Sequence, residues 1–210
     1  MIQLKKSGVV IDQCDVERLR NEFEKKHCVL LPKLVEETLL SFLLLRTHEG
    51  RWEDKVHEGI GCEIILDDRP ALHLLHFLTN VPSFINAVRT ITGCDDVGLF
   101  AGRVYRFNPD PAHYDTWHDD LTFGRRAALS LNLSPEVYEG GIFELRRRQS
   151  KEILARIANT GLGDATLFRI DNELEHQVTT VTGSVSKTAF AGWFRSGVGD
   201  LLSQIRQPAP

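Results

Sequence analysis

The stretch Tyr114–Leu133, YDTWHDDLTFGRRAALSLNL, decides how the rest of the chain is read. Its two ends, Tyr114–Asp120 and Ala127–Leu133, are short β-type segments, and Phe123-Gly124 between them can turn one into the other. The same texture recurs on either side, at Gly98–Phe107, Ile142–Leu145, Ile153–Ala158, Ala165–Ile170, Glu175–Val181 and Lys187–Arg195, with Gly, Pro, Asn or Asp in between. Eight short strands at close spacing predict a sandwich or barrel. The expected fold is mainly β with helical support, a double-sheet jelly roll with N-terminal helices packed on it.

Upstream the pattern is mostly helical from Asp12 to about Thr92. Val16, Leu19 and Phe23 recur at helical spacing behind possible caps at Asp12 or Asp15. His27–Leu31 reads as a strand ending at Pro32, Lys33–Thr47 as a mostly buried helix, and Ala71–Asn80 and Val81–Ile91 as two more, with Pro82 suited to a first turn and Gly93 to a stop. The expected organisation is one domain: residues 1–95 as helical and strand support, 96–196 as the β core and 197–210 as a loose tail.

Composition excludes more than it assigns. Of 210 residues, 42% are hydrophobic and 26% charged, the balance of an ordinary soluble domain. The net charge of −4 argues against a nucleic-acid binder held by bulk electrostatics. Cys14, Cys28, Cys62 and Cys94 stand singly, with no zinc-type pair and no disulfide framework, so a reducing cytoplasm is expected. Leu39–Leu45, LLSFLLL, is too short to cross a bilayer, and the N-terminus lacks the apolar region of a secretory signal, so no membrane partner is expected.

The chemistry concentrates at Trp117-His118-Asp119-Asp120. On a predicted strand His118 and Asp120 project from one face, as two metal ligands must, and His176 is the downstream histidine available as a third. Two imidazoles and one carboxylate are the ligand set of non-haem Fe(II) oxygenases. His113-Tyr114-Asp115 fits the same two-residue spacing but follows Pro109 and Pro111 in a turn-rich stretch, so His118 and Asp120 are preferred. In the last strand, Lys187, Ala189, Ala191, Trp193 and Arg195 share one face. An inward lysine among small residues needs an anion; the plainer alternative is a lysine at the strand's mouth that reaches water.

Taken in order, Trp117–Asp120, Leu129–Leu133 (LSLNL), Tyr138–Phe143 (YEGGIF), Gly163–Phe168 (GDATLF), His176 and Lys187–Phe194 (KTAFAGWF) resemble the Fe(II)/2-oxoglutarate-dependent dioxygenases, within them the prolyl-4-hydroxylase-like branch. The resemblance runs from about Val97 to Ser196. It implies a double-stranded β-helix with His118, Asp120 and His176 as the catalytic iron triad, Lys187 binding the distal carboxylate of 2-oxoglutarate, and Tyr105 beside that co-substrate. Arg195 competes for the Lys187 role, and Ser130 stands where some relatives have a second carboxylate-binding tyrosine. The implied cofactors are Fe(II), 2-oxoglutarate and O2, with ascorbate as a candidate reductant. The implied reaction forms succinate and CO2 and hydroxylates an unactivated C–H bond, and a carboxylate at Asp120 favours hydroxylation over halogenation.

Other polar clusters have plain readings. His73 and His76 suit a helix packed on the barrel, Trp117 and Trp193 suit core before pocket wall, and Arg146-Arg147-Arg148 suits a solvated hairpin end, with a substrate role for it or for Arg125-Arg126 as the alternative. Gly140-Gly141 and Gly161–Asp164 lack the helix that a phosphate loop needs and read as corners. Three functions are weighed: a 2-oxoglutarate hydroxylase of a prolyl, peptidyl or amino-acid substrate, or of a small-molecule or natural-product intermediate; a cupin-like metalloprotein without 2-oxoglutarate; and a non-catalytic binding module. The expected partner is a peptide or small molecule.

Overall fold

The protein is described by a computed structural model covering residues 1–122 and 124–197, so most of the expected tail lies outside the described residues. In chain order the elements are β1 (Ile2–Lys5), β2 (Gly8–Ile11), α1 (Gln13–Lys26), β3 (Cys28–Leu31), α2 (Glu37–Glu49), β4 (Arg51–His57), β5 (Gly61–Asp67), α3 (Arg69–Thr79), α4 (Pro82–Thr92) and β6 (Val97–Phe107). There follow β7 (Tyr114–His118), β8 (Arg125–Asn132), β9 (Glu139–Gly140), β10 (Phe143–Arg147), β11 (Ile153–Ile157), β12 (Ala165–Arg169), β13 (Leu174–Val178), β14 (Val181–Thr182) and β15 (Lys187–Ser196).

Local chemistry accounts for the helix ends. Asp12 caps α1 by accepting from the Cys14 amide, and the helix stops at His27, whose φ of 57° is left-handed. Asp68 caps α3 through the Ala71 amide. Pro82 opens α4, and Gly93 closes it in the left-handed region. No helix among the described residues is long and apolar enough to cross a membrane.

Two walls of antiparallel strands face each other. One runs β11-β10-β13-β7 and the other β6-β15-β8-β12-β3, and β5 joins them. It pairs with β7 through Gly61 and Cys62, and with β6 through Ile64 and Ile65. Alternation along β15 sorts its side chains as the parity predicts. Phe190 and Phe194 are fully buried on the outer face, where Phe84 of α4 and Phe100 pack on Phe194 at 6.2 and 4.8 Å between ring centres. Lys187, Ala189, Ala191 and Trp193 face the cavity between the walls. The helices thus cover the outside of one wall and leave its inside free to line a site.

The fold is the expected mainly β architecture, with two corrections to its parts. The stretch between Asp12 and Thr92 is mostly helical as expected, but the β4–β5 hairpin, which the sequence reading did not anticipate, occupies residues 51–67. Its first strand, RWEDKVH, is an exposed edge, and an edge strand carries charge instead of an apolar alternation. The second correction concerns the metal motif. β7 ends at His118, and Asp120 lies beyond it with φ 59°, so strand alternation does not set its direction.

Candidate metal centre

His118 closes β7 and His176 lies in β13. The two are direct cross-strand partners, with ring centres 4.3 Å apart. Asp120 reaches them by a different route: the Leu121 amide binds Asp119 Oδ1 at 3.0 Å and the Thr122 amide binds the Asp120 carbonyl at 2.7 Å, so a tight left-handed turn swings its carboxylate inward. Asp120 Oδ2 lies 3.7 Å from His118 Nε2 and 3.4 Å from His176 Nε2. Ligands at right angles on one ion, each about 2.1 Å from it, stand about 3 Å apart, so these three groups need only close slightly to share a cation. They are the one group of three metal-competent side chains found among the described residues, with ligand atoms within 4.8 Å of one another.

The surroundings prepare these atoms. His118 Nδ1 donates to the Thr116 carbonyl at 2.7 Å, which fixes the tautomer and leaves Nε2 with its lone pair toward Asp120. His176 is held between the rings of Phe168 and Phe143 at 4.7 and 6.1 Å. The Asp120 carboxylate accepts from Trp193 Nε1 at Oδ2 and from Arg125 Nη1 at Oδ1, both at 2.6 Å, while the Arg125 guanidinium lies 3.5 Å from the centre of the Trp193 ring. Burial alone would raise the Asp120 pKa, but hydrogen bonds to His118 and His176 hold it well below the usual carboxylate range. The His118 imidazole, despite burial, is pushed up to about 9 by Asp120 and Asp115, whereas burial lowers that of the more enclosed His176. The ring protons that produce these shifts stand where a divalent cation would stabilise the same carboxylate.

Trp193→Phe keeps a ring for Arg125 to stack on but deletes the donor to Asp120. Outer-shell losses of this kind cost 10–100-fold in metal affinity, so we expect Fe(II) binding about 10- to 100-fold weaker in an anaerobic titration. Wild-type affinity would show that the indole does not orient the ligand.

The cavity beside the triad measures about 550 Å3. Lys187 lines it while only 6% exposed, and its Nζ donates to the Gly141 carbonyl at 2.8 Å and lies 5.8 Å from the Tyr138 ring centre. Burial pulls its pKa down to about 8. Gly141 is favoured as glycine for two reasons: its φ is 57°, and a Cβ there would sit 3.1 Å from Lys187 Cδ and displace it. Tyr105 and Ser130 also line the cavity, on the two strands that flank β15, whose Ala189 pairs with Tyr105 and whose Ala191 pairs with Ser130. Tyr138 and Gly141 escaped the sequence reading as site residues. The signal was YEGGIF itself, read only as a corner and a family motif.

The alternatives fall elsewhere. His113 is buried with Nδ1 accepting from the Asn108 amide at 2.9 Å, and it does not line the cavity; Asp115 does, 3.3 Å from His118 Nδ1. Arg195 shares the parity of Lys187 but lies outside the cavity lining, where the register of β15 shifts. His76 bonds Gly102 in the core and His73 is exposed. Trp117 stacks under Arg146 at 3.6 Å away from the cavity, while Trp193 is a cavity wall. The basic cluster is paired with carboxylates: Arg146 with Glu175, Arg147 with Glu152 and Arg148 with Asp119. Arg126 pairs with Asp96.

Residues 103–195, which contain every group of the centre, match the family described as the 2OG-Fe(II) oxygenase superfamily. Over that segment, a little under half of its length, the chain is similar to that superfamily. Solved structures of similar fold include a prolyl hydroxylase of Trichoplax adhaerens in complex with a hypoxia inducible factor peptide fragment (TM-score 0.69, 15% identity, 93% of this chain and 94% of that one). A 2OG-Fe(II) oxygenase family oxidoreductase from Burkholderia pseudomallei follows closely (0.67, 13%, 93% and 96%), as does a Pseudomonas putida prolyl-4-hydroxylase (0.66, 14%, 86% and 98%). At these identities the likeness is one of fold. No curated protein matches the sequence. The oxygenase is accordingly a 2-oxoglutarate- and Fe(II)-dependent dioxygenase, and the two-imidazole, one-carboxylate donor set fits the metal that the superfamily uses.

Proposed function

We propose that this oxygenase hydroxylates an unactivated C–H bond of an amino-acid or peptidyl substrate, with His118, Asp120 and His176 holding Fe(II) and Lys187 holding the distal carboxylate of 2-oxoglutarate. The balanced reaction is R–H + 2-oxoglutarate + O2 → R–OH + succinate + CO2. The observation that carries the reading is the placement of a buried lysine in the cavity that the triad faces. Bound Fe(II) supplies the activation of O2 coupled to oxidative decarboxylation.

The chain's own residues supply the rest. Trp193 and Arg125 orient the Asp120 carboxylate, the Thr116 carbonyl fixes the His118 tautomer, and Phe143 and Phe168 exclude water around His176. Gly141 and Tyr138 aim the Lys187 ammonium, and Tyr105 with Ser130 offers hydroxyls beside it. A cupin-like site without 2-oxoglutarate would leave that buried ammonium with only one carbonyl as partner. Four unpaired cysteines support a reducing cytoplasmic setting.

The experiment is succinate formation from 2-oxoglutarate with Fe(II), screened over proline-containing peptides, free amino acids and small metabolites, with mass detection of one added oxygen. Absence of iron-dependent succinate under all conditions would overturn the reading. A pH prediction follows from Lys187. Its pKa of about 8 lies below the ordinary 10.5, so the ammonium is present below pH 8 and lost as pH rises through it. The apparent KM for 2-oxoglutarate should therefore climb about tenfold per unit above pH 8 and be flat just below it. A profile flat to pH 10 would remove Lys187 from the role.

A further inference from the structure

The cavity contains a second charged cluster, which the metal centre does not use. Glu63 of β5 is 4% exposed and still lines the cavity. Its Oε1 accepts from Arg103 Nε at 2.5 Å and lies 2.9 Å from His57 Nε2, which in turn is 3.1 Å from Arg103 Nη2. All three side chains line the cavity. Among the described residues, Glu63 Oε2 has no hydrogen-bond partner, although Oε1 serves two. That oxygen is not among the enclosed unpartnered atoms, so it is open to the cavity and free to accept from a ligand cation that enters there.

Position separates the Arg103 end of this cluster from the co-substrate end. Arg103 pairs across β15 with Ala191, four residues from Lys187, which is about 13 Å along a strand. Its guanidinium lies 5.5 Å from the centre of the Trp193 ring, whose Nε1 holds Asp120. Glu63, one residue beyond the Ile64–Arg106 pair, stands instead at the level of Phe107, the partner of Lys187, and its side chain reaches along the wall to meet that of Arg103. If 2-oxoglutarate extends from the metal toward Lys187, the molecule to be oxidised has the Arg103 side.

We propose that Arg103 and Glu63 read the head group of a free α-amino acid, Glu63 Oε2 taking the ammonium and Arg103 the carboxylate, so that the side chain points past Ala191 toward the metal. The proposal rests on the hydroxylase reading above and names its substrate class. A pair of opposite charges lining one cavity favours a ligand that carries both: a lone carboxylate would face Glu63, and a lone ammonium would face Arg103. Charge-assisted bonds to both ends are stronger than those a neutral peptide group would make at the same pair. The cavity mouth carries partly exposed Ile60, Tyr114 and Leu121, which suits an apolar side chain or its passage inward.

The test compares apolar free amino acids with their N-acetyl and C-amide derivatives and with internal peptides, at saturating 2-oxoglutarate. Free amino acids should stimulate succinate formation and gain one oxygen, with kcat/KM at least about tenfold above either blocked form. In the iron-free protein with 2-oxoglutarate, free amino acids but not blocked ones should raise the Tm. Glu63→Gln should collapse the discrimination against N-acetylation toward unity, and Arg103→Gln the discrimination against the C-amide. A merely structural role would lower all substrates alike and keep both ratios. Equal use of blocked forms or peptides, or unchanged ratios in both variants, overturns the proposal. If the variants do not fold, the wild-type comparison decides alone. Iron-dependent succinate formation without any response to free amino acids would sink this inference and leave the hydroxylase reading standing, whereas no iron-dependent succinate at all would sink the latter.

Discussion

Asp120→Ala is expected to lower iron-dependent succinate formation more than 100-fold, beyond what the loss of an outer-shell partner brings. Asp120 Oδ2 is the atom that both His118 Nε2 and His176 Nε2 face, so its removal leaves two imidazoles and no anionic ligand. It also strips partners from the Trp193 indole and from Arg125, so part of the loss is structural. Anaerobic Fe(II) titration separates the two: a folded variant that no longer binds iron fits the assignment. His118→Ala should behave alike. Full coupled activity in either variant would transfer the role to His113 and Asp115, despite the burial of His113 against the Asn108 amide.

Lys187→Met should raise the KM for 2-oxoglutarate by about 30- to 1,000-fold, the range for deleting one partner of a buried charge pair. The same change should leave Tm unchanged or raise it. Burial already pulls the Lys187 pKa down to about 8, meaning that the unliganded fold strains against this charge. Because its folded pKa lies below its unfolded one, the unfolded chain binds the proton more tightly, and stability in the wild type should increase as pH rises from about 8 toward 10.5. Methionine fills a similar volume without desolvating a charge and should abolish that pH dependence. A large fall in Tm with KM unchanged would make Lys187 a structural residue, and Arg195 would then be tested next.

Much of this was legible because period-two alternation and turn residues mark strands directly. The eight strand segments between Gly98 and Arg195 reappear as β6, β7, β8, β10, β11, β12, β13 and β15, shifted at their ends by a few residues. Parity on β15 placed Lys187, Ala189, Ala191 and Trp193 on the cavity side but failed at Arg195, where a register shift breaks the alternation. The hairpin of residues 51–67 was missed because its outer strand is charged throughout, although GCEIILD carried a β-branched signal. With it went Glu63 and His57, whose meeting with Arg103 is a long-range event that no local pattern encodes. Asp120 does stand beside His118 and His176, but the reason given for choosing it does not hold: it belongs to a left-handed turn and not to the strand.

That turn has a consequence for descent as well as for geometry. His118 and His176 are locked as cross-strand partners in β7 and β13, so replacing either disturbs a paired ladder. At position 120 the backbone asks only for a residue that tolerates φ near 59°, which asparagine, aspartate and above all glycine do. The backbone itself does not ask for a carboxylate there; the proposed metal does, together with Trp193 Nε1 and Arg125 Nη1, which donate to it. Under the proposed ligand assignment, lineages built on this frame can therefore exchange the third ligand in a single codon change, Asp to Gly, without backbone strain but at the loss of the bonds from Trp193 and Arg125, while the two histidines remain fixed. The site is evolvable at the one ligand whose identity most alters what the iron can accept.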